Sequence, residues 1–342
     1  MKKLCMISLL GMAFWLAGLA HGILPEGKPA EVLAKDDLSF FKRKTIVLVV
    51  STRPGGDYDF FGRLVAKGMQ KHLPGSTVIV KNVPGGGMVI GANEIFKAAP
   101  NGLTFGTFNS GIIVAQLTKS PGVHFDLAKF TWLGNAAVFP RFLAVGTKTP
   151  YKKIEDLKTA PAPVKFPSSG VGSSAHNDGL MIKEIFGLNM EMIPGYGGAR
   201  TDMAVMRGDV DGRIGSYPSV MKNVKEGLVR PILQWGVKAP DFPEVPFLPE
   251  IAPAGKKKIA ALLDAMAFIG RPFAAPPNMS EARKRTVRNA FEQTLKDPEI
   301  LAMAKKAQRE LTYHSGPDVE AKIIDVLDQP TEVVSFLKKM TE

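Results

Sequence analysis

The sequence holds a single cysteine, Cys5, and it falls inside an apolar stretch near the N-terminus. Past that stretch there is no thiol, which excludes disulfides, thiolate metal sites and a cysteine nucleophile from the rest of the chain. Cys5 also lies within the apolar run rather than just after it, so it does not suit lipid attachment at a mature N-terminus. Histidine is scarce as well. The five in the chain do not pair at the spacing that sets two imidazoles on one helix face, so no metal is expected. Low-complexity tracts and tandem repeats are also absent.

What is present begins with Lys2 and Lys3, an apolar stretch from Leu4 to Ala20, and small residues around Ala20-His21-Gly22. This is the pattern of a secretory signal over residues 1–22, cut after Ala20 or Gly22; a membrane anchor is the rival reading, for which the run is short. Removal leaves roughly 320 residues, enough for one large domain or two lobes, and two are expected. The formal net charge is +12. Its densest runs, Lys256-Lys-Lys258 and Arg283-Lys-Arg285, are short and not interleaved with aromatics, so they read as a solvated basic surface and not as a nucleic-acid site.

From Lys44 onward, short β-branched runs alternate with amphipathic patterns. Strands are expected at Ile46–Val50, Thr77–Lys81 and Leu103–Phe108, with helices over Asp59–Leu73 and Met88–Ala99 between them. This order predicts a parallel α/β sheet. The pattern resumes after Thr149-Pro150, a plausible boundary: strand Val164–Phe166, helix Ala175–Phe186, strand Met190–Pro194, a helix to Met206, strand Asp209–Ile214, helix Ser219–Glu226 and the apolar run Pro231–Trp235. Lys238–Lys258 is Pro-rich and aperiodic and reads as a long surface connection. In the helical tail, Ser280, Asp297-Pro298 and Ser315-Gly-Pro-Asp318 carry the marks of helix starts.

Four Gly-rich loops fall where a strand should become a helix: Arg53-Pro-Gly-Gly-Asp-Tyr-Asp59, Asn82-Val-Pro-Gly-Gly-Gly87, Ser168-Ser-Gly-Val-Gly-Ser-Ser174 and Gly195-Tyr-Gly-Gly198. Glycine lets backbone approach a ligand closely, and a helix start offers unpaired N–H groups with a partial positive charge. Such loops suit a carboxylate or phosphate, although each glycine alone could serve only a turn. Asn82–Gly87 is the loop most readily assigned to structure alone.

Enzyme motifs mostly fail. Gly86-Gly-Met-Val-Ile-Gly91 has phosphate-loop glycine spacing, but Ala92-Asn93 stand where Lys and Ser or Thr are required. Gly170-Val-Gly-Ser-Ser-Ala175 matches a dinucleotide fingerprint, but weakly, in a lengthened loop. His176 beside Asp178, Ser173 and Ser174 is crowded on one helix start, which does not give a serine triad. It reads either as a ligand-facing polar group or as a cap neighbour. No cofactor is expected.

Taken in order, these loops resemble the Bug-type extracytoplasmic solute-binding proteins, the binding components of tripartite tricarboxylate transporters. The resemblance rests on Val49–Arg63 with Gly55-Gly56, Asp59 and Arg63, on Val80-Lys-Asn-Val-Pro-Gly-Gly-Gly87, and on Ala98-Ala-Pro-Asn-Gly-Leu-Thr104. It continues through Ser169–His176, Pro194-Gly-Tyr-Gly-Gly198, Arg207-Gly-Asp-Val-Asp211 and the tail with Asp297-Pro-Glu.

The resemblance implies a type II periplasmic binding protein fold, two α/β lobes with a ligand cleft, lobe 1 from 44–139 plus 268–342 and lobe 2 from 140–267. It implies a periplasmic monomer that binds a small carboxylated solute and meets membrane permease subunits. The ligand residues it implies are Gly55, Gly56, Asp57, Tyr58 and Asp59, then Ser169, Gly170, Gly172, Ser173 and Ser174 with His176 adjacent, and Tyr196, Gly197 and Gly198. Asp59 is expected to cap the first helix and order its loop. Arg213 and Tyr217 are further candidates, with a solvated Arg213 and a core Tyr217 as the plainer reading. The chain departs from the family pattern at Asp57 and Tyr58: Asp57 should repel a carboxylate unless Arg53 or a ligand amine offsets it, which suggests a zwitterionic, aromatic or less anionic ligand. An exported hydrolase and a sensory binding protein are the rival functions.

Overall fold

A computed structural model describes residues 37–341. The expected signal over 1–22, with Cys5 and His21, lies outside the described residues. Among the described residues no helix is long and apolar enough to cross a membrane.

The first β-branched run forms β1 (Thr45–Val50), paired in parallel with β2 (Thr77–Asn82) and β3 (Thr104–Thr107). The helix Asp57–His72 covers this sheet with Phe61, Val65 and Met69, each side chain worth about 1.5–3 kcal/mol on full burial, while Leu64 packs on Ile300 and Ala304 of the tail. Gly62 permits the approach: a Cβ there would sit 2.4 Å from the Val50 side chain. A second amphipathic helix, Glu281–Lys296, comes back from the tail to pack against it, with Gly68 against Thr294.

The expected parallel sheet is present in β1, β2 and β3, and it is extended by antiparallel pairs that the sequence did not show. The sheet runs β11-β4-β10-β3-β1-β2, and β4 (Thr131–Asn135), β10 (Pro272–Ala275) and β11 (His314–Ser315) join it antiparallel. The second sheet, β8-β5-β9, is wholly antiparallel: β5 (Arg141–Gly146) lies between β8 (Gly212–Ser216) and β9 (Val229–Trp235). Beside it β6 (Val164–Ser168) and β7 (Met190–Pro194) pair in parallel. Sequence periodicity reports burial of a face and carries no direction of pairing, so the antiparallel partners were not legible.

Two further differences follow. The chain changes sheets between Asn135 and Arg141, ahead of Thr149-Pro150, because β5 already belongs to the second sheet. The connection Lys238–Lys258 is not purely surface: Ala239, Val245 and Leu248 are buried. Gln234 Nε2 donates to the Phe242 and Val245 carbonyls, which holds the connection against β9.

The chain passes between the sheets twice, at 136–140 and again on the return toward β10. Asn135 ties the passages together: its Nδ2 donates to the Phe268 carbonyl at 2.6 Å, and its Oδ1 accepts the Arg271 N–H at 2.7 Å. Gly270 allows the contact, since a Cβ there would lie 2.6 Å from the Ala137 carbonyl oxygen.

Candidate functional site

The four Gly-rich loops all leave the carboxyl ends of parallel strands, β1 and β2 in one sheet and β6 and β7 in the other, where α/β proteins place ligands. They also touch one another. Asn82 Nδ2 donates to the Thr52 carbonyl and to Asp59, linking the second loop to the first. Gly87 meets the Ser168–Ser174 loop so closely that a Cβ would come within 2.9 Å of the Gly172 backbone. Tyr196 N–H donates to the Ser168 carbonyl, and Gly197 abuts Ser169, so the fourth loop completes the chain of contacts. Asn82–Gly87 thus takes part in the junction between the sheets.

A fifth segment, unread in the sequence, enters the same junction. After β3, Asn109 Oδ1 accepts the Gly111 N–H at 2.8 Å and so fixes the start of the helix Gly111–Leu117. A Cβ on Gly111 would be 2.3 Å from the Gly172 carbonyl oxygen. Glycines 87, 111 and 172 are therefore the surfaces on which the two halves meet. Thr52 Oγ1, Thr107 Oγ1 and Asn177 Oδ1, close in sequence to these starts, are buried without a hydrogen-bond partner among the described residues.

Around this junction the loops face open space. A Cβ at Gly55, Gly56, Gly170, Gly195 or Gly198 would meet no atom within 4 Å. The helices that follow, starting at Gly56, Ser173 and Gly198, have no side-chain cap. A helix start without a cap presents a partial positive end that suits an anion, although at the third of these the Arg200 and Thr201 N–H groups already donate to the Gly197 and Gly198 carbonyls.

The first loop is organised by Asp59, though not as a cap. Its Oδ2 accepts the Gly55 N–H and Arg63 Nε, each at 3.0 Å, and Asn82 donates to Oδ1 at 2.9 Å. Burial pushes this carboxyl up, but the hydrogen bonds from Arg63, Gly55 and Asn82 outweigh it and hold it below the usual range. The helix start itself, Gly56, is left uncapped, so the expected capping role is corrected to one of ordering the loop.

Arg53 is exposed, and Asp57 is met by two other arginines. Its Oδ2 accepts Arg271 Nη2 at 3.1 Å, and its Oδ1 accepts Arg309 Nε at 3.0 Å with Nη2 at the same distance. Ser216 Oγ, at the end of β8, also donates to Oδ2. Burial raises the Asp57 carboxyl, and the two guanidiniums overcome this and leave it lowered. Tyr58 serves the same arginine: its ring lies under the Arg271 guanidinium at 4.5 Å, and its hydroxyl donates to the Gly270 carbonyl. Neither departure from the family pattern needs a ligand to explain it.

Arg271 was missed in the sequence, yet a signal existed. It is the lone charge in the apolar stretch Ala265–Ala275, and a charge in such a stretch must find a partner if it is buried. Arg309 gave no signal, because Lys305-Lys-Ala-Gln-Arg-Glu310 reads as an exposed tail.

The remaining candidates divide. Ser173 Oγ donates to the Gly170 carbonyl and shapes its own turn, while Ser174 and Ser169 stay partly or fully exposed. His176, half-buried and lowered by burial so that it stays neutral near pH 7, lies 3.3 Å from Ser168 Oγ. Asp178 does not complete a triad with that pair, since it is buried against Arg141. Arg213 is buried, not solvated, and is held by Asp202 at 2.6 Å and by Asn223 within the second unit. Tyr217 is half-buried; its hydroxyl donates to Asp241, which with burial pushes its pKa up to about 12.

Comparison with known proteins follows the same lines. BugT of Bordetella pertussis is 26% identical over 260 residues, 72% of this chain and 73% of that protein. The periplasmic binding protein BugD superposes with a TM-score of 0.71 at 21% identity, covering 88% of this chain and 98% of its own. MatC from Rhodopseudomonas palustris, solved with bound malate, has a TM-score of 0.67 at 19% identity over 87% of this chain and 99% of its own. These likenesses fix the fold as the two-lobed α/β architecture of periplasmic binding proteins. The sequence profile of the tripartite tricarboxylate transporter family receptors matches residues 61–337, and the chain belongs to that family of solute-binding proteins.

Proposed function

We propose that this protein is a periplasmic receptor that holds a small carboxylated solute between its lobes and delivers it to the membrane subunits of a tripartite transporter. The observation that carries this reading is the set of uncapped helix starts at Gly56, Ser173 and Gly198, which belong to both halves and open onto unfilled space. A carboxylate between them gains N–H donors from each side, so it favours the closed arrangement over an open one. The bound malate of MatC, a relative in fold, supports an organic acid as the solute class.

A hydrolase in the same cleft lacks support, because the Ser168–His176 contact has a buried serine and the nearby carboxylate of Asp178 is taken by Arg141. Thermal-shift screening of the purified protein against carboxylates, amino acids and aromatic acids tests the receptor reading. A ligand at a hundred times its Kd stabilises the folded form by about 2.7 kcal/mol, a readily seen rise in Tm. No shift with any acid, together with turnover of a test ester, would replace the receptor reading with the enzymatic one.

A further inference from the structure

The cluster around Asp57 sets two guanidiniums against one carboxylate. Arg271 is 3% exposed, and its side chain is enclosed by the rings of Tyr58, Phe61 and Phe139. Arg309 approaches from the tail over the ring of Phe60 at 4.6 Å and keeps 30% of its side chain exposed. Both oxygens of Asp57 are taken by these two arginines, and Ser216, from the other sheet, shares Arg271 Nη2 at 3.1 Å. Of the other carboxylates nearby, Asp59 is engaged with Arg63, Asp178 with Arg141, Asp202 with Arg213 and Asp241 with the Tyr217 hydroxyl, while Glu310, next to Arg309, is exposed.

We propose that Asp57 is a specificity-determining residue: its carboxylate occupies the place on the Arg271–Arg309 pair that a second ligand carboxylate would take, so that this receptor selects monocarboxylates over dicarboxylates. The inference rests on the receptor reading given above. Among Asp57, Arg271 and Arg309 one positive charge remains, and the uncapped helix starts add partial positive charge that one ligand carboxylate can use. A dicarboxylate long enough to reach the pair meets Asp57 instead, a like charge in a partly desolvated place. It cannot displace Asp57 readily, because a tethered group acts at a high effective concentration. Shortening the side chain removes the repulsion and leaves a buried guanidinium without its counter-ion, which a free carboxylate can then supply.

The test compares wild type with Asp57→Ala by calorimetry and thermal shift, using butyrate with succinate and hexanoate with adipate as matched pairs, and formate as a small probe. Wild type is expected to prefer the monocarboxylate of each pair by about tenfold or more. Asp57→Ala is expected to melt lower, to regain Tm saturably with formate but not with chloride, and to move the pair ratio toward the dicarboxylate by about tenfold or more. Asp57→Asn keeps the shape and removes the charge. It is expected to move the ratio the same way without formate rescue, and it keeps the test decisive if the alanine variant does not fold. Unchanged ratios in both variants, or wild type preferring the dicarboxylates, overturn the proposal. If wild type binds no carboxylate at all, the receptor reading fails instead, and formate rescue of Asp57→Ala still reports whether the arginine pair accepts a carboxylate.

Discussion

The helices of the tail and the helices that follow the Gly-rich loops begin in opposite ways. In the tail, Ser280 Oγ accepts the Arg283 N–H, Asp297 accepts the Glu299 N–H at the start of Pro298–Lys306, and Ser315 with Asp318 forms a full capping box for Gly316–Leu327. Behind the loops, Gly56, Ser173 and Gly198 leave their helices uncapped. Even the two acids in the first turn of Asp57–His72 turn away, one to two arginines and the other to Gly55 and Arg63. A side-chain cap satisfies the helix start locally, and its omission reserves the same N–H groups for something outside the chain. At Gly56 and Gly198 the missing cap coincides with open space around the loop glycine, an arrangement that suits a bound anion.

The sharpest way to break this contrast is to fill one uncapped start. Gly56 has φ −97° and ψ 179°, a conformation open to any residue, and no atom lies within 4 Å of its virtual Cβ. Gly56→Val is therefore expected to keep Tm and to weaken ligand binding by more than about a hundredfold in calorimetry; unchanged affinity would remove the first loop from the site. Gly111→Ala ranks next. Its Cβ would press on the Gly172 carbonyl oxygen across the junction, a clash costing about 1–3 kcal/mol, or roughly five- to a hundredfold in affinity if closure bears it. Loss of Tm with affinity intact would show instead that the strain is absorbed within one half.

The capped side gives smaller and different effects. Ser315→Ala should lower stability by about 1 kcal/mol in denaturant unfolding and leave affinity alone. The smallest effect is a pH dependence. Asp297, hydrogen-bonded by Lys71 and also by His72, has its carboxyl lowered to about 2. Because the folded value lies below the unfolded one of about 3.9, its contribution is complete above that pH and is lost as pH falls toward 2. Asp297→Ala should flatten that part of the stability profile, and an unchanged acid limb would assign it to other carboxylates.

The capped starts were readable because capping is local: Ser280, Asp297-Pro298 and Ser315-Gly-Pro-Asp318 each lie within a turn of the groups they satisfy. The Gly-rich loops were readable for the same reason. Strands β4 and β5 were not, since Thr131–Asn135 and Arg141–Gly146 alternate with no polar face: nearly every residue in them is buried. Strand β8 begins at Gly212, later than Asp209, because Gly208 ends the preceding helix in a left-handed turn and Asp209 N–H returns to Ala204.

The sequence by itself determined the capped starts of the tail helices and that four Gly-rich loops follow strands, because these depend on neighbours a few residues apart. Tertiary structure alone decided what Asp57 does. Its partners stand 214 and 252 positions away, and only the return of the chain through Gly270 and the tail brings those arginines to it. The charge of an aspartate is written in the sequence, but whether that charge faces a ligand or an arginine depends on which distant segment folds against it.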